Sequence, residues 1–478
     1  MPNQNLTPVE RAALRESRYE ALYEPTENVP TIVVDNFPAL GRLTALRFIE
    51  WVQHNPGGVI SLPTGKTPEY FIKWVRHLLE TWEEPETRAT LEEYGVDPGR
   101  RPEMGGLHFV QIDEFYPINP RHQNSFYHYV NRFYIEGVGL NPEKALLMNC
   151  AEIGLGEDES LEEVWPDHVV DLGLRYRQPE SSLERRQKDL LARVDQWCQD
   201  YEGRIRELGG IGFFLGGIGP DGHIGFNVRG SDHRSTTRLT ETNYETQAAA
   251  ATDLGGIEIA RNRLVITIGL GTITCNPDCA AVIIAAGEAK ADVVADAVQR
   301  EPDVLYPATA LHKLPNARFF VTRGAGSQLV ERRLVRLRAE PIGDGECTIV
   351  LVDVAVRTGK KLVDLTEDDL RADRFGGVLL EQRSEPLERL TEAVRDRLLM
   401  RLERGAHTLR DTRFLHTEPH HDDIMLGYLP YVVRHVRDPS NVHCFATLTN
   451  GFTSVSNHFM RRQIELLSSS WARRSARN

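Results

Sequence analysis

A glycine-rich stretch in the middle of the chain holds the residue pair best suited to acid/base chemistry. Residues 216–227 read Gly-Gly-Ile-Gly-Pro-Asp-Gly-His-Ile-Gly-Phe-Asn, a composition that predicts a tightly turned loop able to wrap a small ligand. Asp221 and His223 stand two positions apart inside it. A carboxylate beside an imidazole fixes the tautomer of the ring and raises its basicity, so the pair indicates proton transfer. A structural histidine is the alternative interpretation.

Two further polar clusters follow apolar runs that predict strands. Asp113 and Glu114 come after residues 107–112, and a carboxylate at a pocket edge suits removal of a carbon-bound proton next to a carbonyl. The alternative is a cap for the next helix. The sequence Thr-Gly-Lys-Thr at 64–67 lies between a predicted strand and a predicted helix, where backbone N–H groups and hydroxyls can bind an anion. An ordinary strand-to-helix turn is the alternative there.

The elements around these clusters predict an α/β fold. Helical segments, such as 40–51, 183–208 and one starting near Glu69, separate the apolar runs at 31–34, 58–62, 107–112, 211–215, 264–268, 281–285 and 318–321. This alternation predicts an open, mostly parallel, Rossmann-like sheet with helices on both faces. Ligands of such sheets bind outside the carboxyl ends of the strands. Because all three polar clusters follow strands, we expect them to form one active site.

The chain is long enough for more than one domain. We expect a helical extension at 1–30, the α/β domain at 31–330, a connecting segment at 331–410, and the start of a second α/β domain at 411–478. Within the connecting segment the sequence predicts a strand at 348–352 and a helix at 385–404. Strands at 413–416 and 441–450 are expected in the last part.

Composition limits the class of partner. The net charge of -13 over 478 residues argues against a nucleic-acid partner, whereas a phosphorylated small molecule needs only one or two local cations. The sequence contains no apolar stretch near ~18 residues and no basic, apolar leader, so no membrane association is expected. The six cysteines follow no regular spacing, which indicates reduced thiols in a cytoplasmic protein. The oligomeric state stays open, with a homo-oligomer as one alternative.

The three motifs together resemble the glucosamine-6-phosphate deaminase family. The motifs that resemble the family are Leu-Pro-Thr-Gly-x-Thr-Pro, Asp-Glu-Phe, and Gly-Pro-Asp-Gly-His-Ile-Gly-Phe-Asn. The resemblance covers residues 31–324, with an insertion around residues 153–190. The family is related to 6-phosphogluconolactonases, and Asn227 with its Ile-Gly-Phe context favours the deaminase branch. The resemblance implies conversion of glucosamine 6-phosphate and water to fructose 6-phosphate and ammonia, in amino-sugar breakdown, without a cofactor.

The resemblance also implies roles for individual residues. Asp113 would move the proton between C2 and C1 of the opened sugar, and His223, oriented by Asp221, would assist ring opening. Lys290, in Gly-Glu-Ala-Lys, would bind the phosphate, with a solvated helix-start lysine as the alternative. Further substrate contacts are expected from the phosphate loop Thr64, Gly65, Lys66 and Thr67, and from Glu114, Gly217 and Asn227.

Three positions depart from the family pattern. Val228 replaces a glutamate of the proton relay, and the phosphate-binding arginine of the family's lid aligns near Thr252, in an alanine-rich stretch. Lys66 stands where the phosphate loop has a second glycine, and we hypothesise that it replaces the missing arginine charge. These departures leave two alternatives to deamination: a lactonase-like hydrolase, which releases acid, and a sugar-phosphate sensor, which binds without turnover.

A second motif lies near the end of the sequence. Residues 418–423, Glu-Pro-His-His-Asp-Asp, resemble the Ala-His-Pro-Asp-Asp signature of LmbE/PIG-L-type N-acetylglucosaminyl deacetylases. This resemblance implies zinc ligation by His420 and Asp423, with Asp422 as the base for metal-bound water; an exposed His/Asp loop is the alternative. Such a domain needs on the order of 150–200 residues, and about 65 follow Arg413. We therefore expect an incomplete domain with an incomplete zinc site.

Overall fold

The computed structural model describes residues 5–247, 263–419 and 423–448. The chain divides into two compact units, Met1–Leu329 and Val330–Asn478. The strands of the first unit are β1 (Thr31–Val34), β2 (Val59–Ser61), β3 (His108–Val110), β4 (Asp113–Tyr116), β5 (Ala145–Leu146), β6 (Phe213–Gly217), β7 (Arg238–Thr240), β8 (Leu264–Thr267), β9 (Ala280–Ala285) and β10 (Arg318–Thr322).

The helices of the first unit fall between these strands. The α-helices are α1 (Pro8–Glu16), α2 (Phe37–His54), α3 (Glu69–Glu80), α4 (Pro85–Glu93), α5 (Phe126–Val130), α6 (Glu136–Val138), α7 (Leu161–Val164), α8 (Ser182–Glu207), α9 (Leu270–Thr274) and α10 (Ala291–Gln299). A π-helical turn spans Asn131–Ile135, and 3₁₀ turns span Met104–Gly106, Pro142–Lys144, Leu172–Arg175, Glu288–Lys290 and Pro307–Lys313.

The central sheet of the described residues has seven strands in the order β1-β10-β9-β6-β2-β3-β5. Every neighbouring pair in it is parallel, including β6 with β9 and β2 with β6. The sequence-based prediction of an open, mostly parallel sheet is confirmed. Since all strands point the same way, their carboxyl ends form one edge of the sheet, where the polar clusters follow β2, β3 and β6.

Both faces of this sheet are covered by helices. Alternate residues of β9 belong to two different hydrophobic clusters, with Ala281 and Ile283 in one and Val282 and Ile284 in the other. Side chains of α8 and α10 pack in the first cluster, and side chains of α2 and α3 pack in the second. A strand buried on both faces has no polar alternation, which explains why these strands read as continuous apolar runs.

A smaller antiparallel sheet was not predicted. Among the described residues it consists of β4, β8 and β7, in that order. The strand predicted at 264–268 is present as β8, but it pairs antiparallel with β4 rather than joining the central sheet. In this pairing Asp113 lies opposite Thr267. The small sheet therefore fixes the start of β4 next to the carboxyl edge of the central sheet.

The N-terminal extension contains α1 and is fastened to the domain by a buried charge. Glu10 is fully buried, and its Oε1 accepts hydrogen bonds from Nε of Arg318 (3.0 Å) and of Arg47 (3.4 Å). Its Oε2 accepts a hydrogen bond from the backbone N–H of Thr7 (3.0 Å). Separating a buried carboxylate from its arginine partners would leave uncompensated charges in the interior, so α1 is a structural part of the unit.

The second unit contains helices with a hydrophobic core of their own, followed by a short parallel strand pair. Its elements are α11 (Val330–Ala339), α12 (Asp344–Thr358), a 3₁₀ turn (Leu362–Asp364), α13 (Glu367–Arg371), α14 (Arg374–Gln382), α15 (Leu387–Ala406), β11 (Arg413–Glu418), α16 (Asp423–Val436) and β12 (Val442–Thr447). The parallel pairing of β11 with β12 across α16 is the arrangement expected at the start of a second α/β domain.

One predicted strand of this unit is wrong. Residues 348–352 lie inside α12, and the buried positions Cys347, Val350, Leu351 and Val354 repeat at three- and four-residue intervals, which is a helical spacing. The prediction rested on the local run of β-branched residues, whose weak strand preference is overridden when one helical face packs in a core. The helix predicted at 385–404 is confirmed as α15.

No helix within the described ranges combines the length and the apolar character needed to cross a membrane.

Candidate active site

The three polar clusters of the sequence meet in one cavity. A cavity opens at the carboxyl edge of the central sheet, and its lining includes Thr64, Thr67, Asp113, Gly217, His223 and Lys290. These residues lie at or just after the carboxyl ends of β2, β3, β6 and β9, four strands of the parallel sheet. The structure therefore brings together six of the residues that the sequence singled out.

Asp113 has the surroundings of a strong base. Its side chain is 7% exposed, and within the described residues no hydrogen-bond donor contacts its carboxylate. Burial raises the pKa of Asp113 well above its ordinary value, and the negative charge of Glu114 raises it further. A carboxylate that has lost its hydration and gained no donor holds a proton tightly, which suits it to take one from carbon.

Glu114, its neighbour, is buried at the start of α5. Its carboxylate is fully buried and accepts hydrogen bonds from the Ser125 hydroxyl (2.7 Å) and from the backbone N–H groups of Phe126 (2.9 Å) and Tyr127 (2.7 Å). Burial raises the pKa of Glu114 to about 7, although these donors lower it in part. The side chain caps the start of α5 and is not among the described residues that line the cavity, so these contacts favour the capping alternative, and the substrate contact stays a prediction.

His223 and Asp221 form a close pair. Nδ1 of His223 lies 2.5 Å from Oδ1 of Asp221, and the imidazole packs against the ring of Phe226 with 5.9 Å between centroids. The other carboxylate oxygen accepts hydrogen bonds from the Arg229 backbone N–H (3.1 Å) and the Asn243 side chain (2.7 Å). Burial alone would raise the pKa of Asp221, but the hydrogen bonds and the charge of His223 outweigh it and lower the pKa below its ordinary value. Asp221 is thus a fixed anion that orients the imidazole.

Glycine is required at two positions for the loop to take this shape. A Cβ on Gly219 would lie 2.0 Å from Cε1 of His223, so any larger residue would displace the imidazole. A Cβ on Gly217 would lie 2.9 Å from Cγ2 of Thr67. The close approach of the glycine-rich loop to the loop after β2 therefore depends on the missing side chain of Gly217, and the position of the imidazole depends on that of Gly219.

The loop after β2 presents hydroxyls to the cavity. Thr64 and Thr67 line the cavity, and Gly65 between them adopts a positive φ of 82°. The carbonyl of Gly65 accepts a hydrogen bond from the Tyr129 hydroxyl (3.0 Å), which holds the loop from the outside. Lys66 is exposed and lines a neighbouring groove with Tyr129 rather than the cavity itself.

Lys290 supplies a cation inside the cavity. Its Nζ donates a hydrogen bond to the carbonyl of Ile218 (2.8 Å), which directs the ammonium toward the glycine-rich loop. Burial lowers the pKa of Lys290, and the nearby charge of Asp221 acts in the opposite direction. Together with the two threonine hydroxyls, Lys290 makes a site for an anion such as a phosphate group.

Asn227 is placed behind the cavity. It is fully buried, its Nδ2 donates to the carbonyls of Ile224 and Ile268 (2.9 Å each), and its Oδ1 accepts a hydrogen bond from Arg238 (2.9 Å). These bonds tie the glycine-rich loop to the segment after β8, so the observed contacts of Asn227 are structural, and its substrate contact stays a prediction. Thr252, where the lid arginine was expected, lies outside the described residues.

Sequence reasoning missed four residues of the site. Phe126 and Phe226 line the cavity, and Asn243 and Thr246 contact Asp221 and His223. The position of Phe226 inside the glycine-rich motif was a usable signal. Asn243 and Thr246 follow β7, some twenty residues after the motif, and nothing in their spacing marks them.

The second motif is only partly described. His420 and Asp422 lie outside the described residues, and Asp423 is the first residue of α16. Glu418, at the end of β11, is buried and accepts a hydrogen bond from the Thr447 hydroxyl (2.6 Å). Within the parts of the chain that the structure describes, no group of three or more His, Cys, Asp or Glu is arranged to hold a metal ion. The described side chains therefore do not make up a zinc site.

No family model matches the chain. Glucosamine-6-phosphate deaminase 2 of Bacillus subtilis (strain 168) is 24% identical over 282 residues, which cover 59% of this chain and 90% of the relative. Glucosamine-6-phosphate deaminase of Hahella chejuensis is 27% identical over 304 residues, covering 62% and 91%. The enzyme of the same name from Corynebacterium urealyticum is 38% identical over 144 residues, covering 30% and 55%.

A solved structure of a monomeric glucosamine-6-phosphate deaminase is 21% identical and superposes with a TM-score of 0.47, covering 62% of this chain and 99% of that one. Sequence similarity relates roughly the first 60% of the chain to the glucosamine-6-phosphate deaminase family.

Proposed function

We propose that the first unit catalyses the isomerising deamination of glucosamine 6-phosphate, giving fructose 6-phosphate and ammonia. The observation that carries the proposal is that one cavity is lined both by Asp113, a buried carboxylate with no donor among the described residues, and by the imidazole of His223, together with Thr64, Thr67 and Lys290. Isomerisation needs a base for a proton on carbon and a second group for protons on oxygen. The relatives named above carry the same activity in their names.

We assign the steps of the proposed reaction to these residues as follows. His223 takes the proton of the O1 hydroxyl and returns a proton to the ring oxygen, so the C1–O5 bond breaks and a C1 aldehyde forms. Asp113 then removes the proton from C2, and the electron pair moves into a C1–C2 double bond while O1 takes a proton from water. Asp113 returns its proton to C1, which leaves a protonated imine at C2. Water adds to that carbon, the C–N bond breaks, and ammonia leaves with the ketose.

The anion site positions the substrate. Thr64, Thr67 and Lys290 would hold the phosphate at one end of the cavity, and Lys66 stands at the rim of the same loop. A sugar held at its phosphate presents C1 and C2 at a fixed distance, which converts the proton transfer into an intramolecular step. The substrate is thus a phosphorylated amino sugar. A phosphorylated metabolite as substrate and six free thiols are both consistent with a cytoplasmic enzyme, and we place the reaction in the cytoplasm.

A comparison of two substrates tests the proposal. Purified full-length protein is given glucosamine 6-phosphate, with ammonia and fructose 6-phosphate measured, and separately 6-phosphogluconolactone, with acid release measured. We expect both products from the first substrate in equal amounts and no acceleration of the second. Acid release alone would identify a lactonase, and saturable binding of the first substrate without ammonia would identify a sensor.

We further propose that residues 411–478 form an incomplete LmbE/PIG-L-like deacetylase domain; a complete domain of this kind would expose the amine that the first unit removes. The support is the parallel β11–α16–β12 arrangement with the acidic motif at the end of β11. Metal analysis of the purified chain with and without the His420→Ala substitution tests it. Equal zinc content in both proteins, or none in either, would contradict zinc ligation by His420.

A further inference from the structure

Asn243 joins the glycine-rich loop to the segment that follows β7. Its Nδ2 donates a hydrogen bond to Oδ2 of Asp221 (2.7 Å), and its Oδ1 accepts one from the backbone N–H of Thr246 (3.0 Å). Thr246 is 3% exposed, and its Oγ1 lies 3.3 Å from Nδ1 of His223. Two residues of one short segment therefore contact both members of the His223–Asp221 pair.

The hydrogen bond from Asn243 sets the orientation of the carboxylate plane of Asp221. One oxygen faces His223 at 2.5 Å, and the other accepts from the Arg229 backbone N–H (3.1 Å) and from Asn243. The Arg229 donor belongs to the same loop and moves with it. Among the residues that the structure describes, Asn243 is the side chain that fixes this second oxygen from another element. Holding one oxygen sets the plane of the carboxylate and keeps the other directed at the imidazole.

We propose that Asn243 is a positioning residue for the His223–Asp221 pair, holding the carboxylate so that His223 keeps its proton on Nδ1 and leaves Nε2 free to accept a proton from the substrate. The inference rests on the acid/base role of His223 in the proposed function. Among the described residues, Lys290, whose ammonium interacts with Asp221, lies near the pair, and the carboxyl of Asp113 lines the same cavity as His223. The side chains of Thr246 and Phe226 that contact the imidazole carry no charge.

Two substitutions separate positioning from general stability. Asn243→Ala removes the donor, and the loss of one hydrogen bond to a charged group predicts a fall in kcat of about 10-fold or more, with KM within about twofold since no phosphate contact changes. Asn243→Asp places a second carboxyl 2.7 Å from Asp221. When protonated it can donate as the amide does, and two carboxyls this close share one proton. Its kcat should be near that of the wild type at pH 5.5 and fall as the pH rises to 9.

Asn36→Ala is the matched control. Asn36 also accepts a hydrogen bond from a backbone N–H three residues on, that of Ala39 (2.9 Å), at the start of α2 and away from the cavity. Its loss destabilises a helix end without touching the pair. A kcat and a pH profile of Asn243→Ala that match those of Asn36→Ala, per folded molecule, would overturn the positioning role.

A second measurement does not depend on turnover. In protein labelled with ¹⁵N at histidine, the His223 signals are identified by their loss in His223→Gln. We expect the Nδ1–H tautomer in the wild type and a mixture of tautomers in Asn243→Ala. This result in a protein inactive on glucosamine 6-phosphate would sustain the positioning role and refute the proposed function. An unchanged tautomer in an active Asn243→Ala protein would refute the positioning role and leave the function standing.

Discussion

Replacing Gly219 by alanine tests whether catalysis depends on where the His223 ring sits. A Cβ at this position would lie 2.0 Å from Cε1 and 2.3 Å from both ring nitrogens of His223. Non-bonded carbon atoms approach to about 3.5–4.0 Å, so the ring must withdraw by roughly 1.5 Å. The 2.5 Å contact from Nδ1 to Asp221 would then lengthen beyond hydrogen-bonding distance.

The expected loss of activity follows from that displacement. Misplacing a reacting group by about 1 Å costs on the order of 10²-fold in rate, and a general acid/base contributes roughly 10²–10⁴-fold. We expect Gly219→Ala to lower kcat by about 10²-fold or more. KM should stay within about threefold, since the threonines and Lys290 that face the phosphate are not touched.

The assay is steady-state ammonia release from glucosamine 6-phosphate at pH 7.5. Gly203→Ala is the matched control, because Gly203 lies inside α8 and a Cβ there meets no atom within 4 Å. If Gly219→Ala acts through the imidazole, adding it to His223→Ala should cause no further loss. A Gly219→Ala enzyme with wild-type kcat, or two losses that multiply, would refute the reasoning.

Three other perturbations have distinct expected results. Lys290→Ala should raise KM by about 10- to 100-fold, as expected for a lost charge-assisted contact. Lys66→Ala should raise KM by less than about fivefold, since Lys66 is exposed. Equal effects of the two substitutions on KM in substrate titrations would show that Lys66 binds the phosphate, as its sequence position suggested. Burial raises the pKa of Asp113, so the folded protein loses stability as the pH rises through that pKa. Asp113→Asn should therefore raise the free energy of unfolding at pH 8 and leave it unchanged at pH 3. Denaturant curves that show no gain at pH 8 would contradict this. Glu10→Gln should lower the free energy of unfolding by about 3 kcal/mol, because it removes the buried carboxylate charge that pairs with Arg318 and Arg47, and kcat per folded molecule should not change. A loss below about 1 kcal/mol in denaturant titrations would contradict the buried pairing.

The sequence predicts the parallel sheet well because its strands are buried on both faces. Apolar runs such as 31–34 and 281–285 leave no other interpretation between helical segments, and both are strands of the central sheet. Residues that follow parallel strands lie together at the carboxyl edge of the sheet, so the sequence was sufficient to predict that Asp113, Thr64 and His223 share one site.

The parts that could not be predicted depend on contacts between distant residues. The composition of residues 348–352 is compatible with a strand or a helix. The packing of this segment with other helices of the second unit determines that it is helical. The direction of a side chain is likewise invisible in sequence. Glu114 turns to the start of α5, while Asp113, one residue earlier, faces the cavity. Asn243 reaches Asp221 only because β7 returns its segment to the glycine-rich loop.

The most direct test of the account is ammonia release, with coupled detection of fructose 6-phosphate, by the wild type and by Asp113→Asn. Asparagine keeps the shape of the side chain and removes its ability to accept a proton from carbon. We predict turnover by the wild type and a loss of about 10²-fold or more in the variant, with substrate binding retained. Wild-type turnover by Asp113→Asn would show that another group removes the C2 proton and would contradict the account.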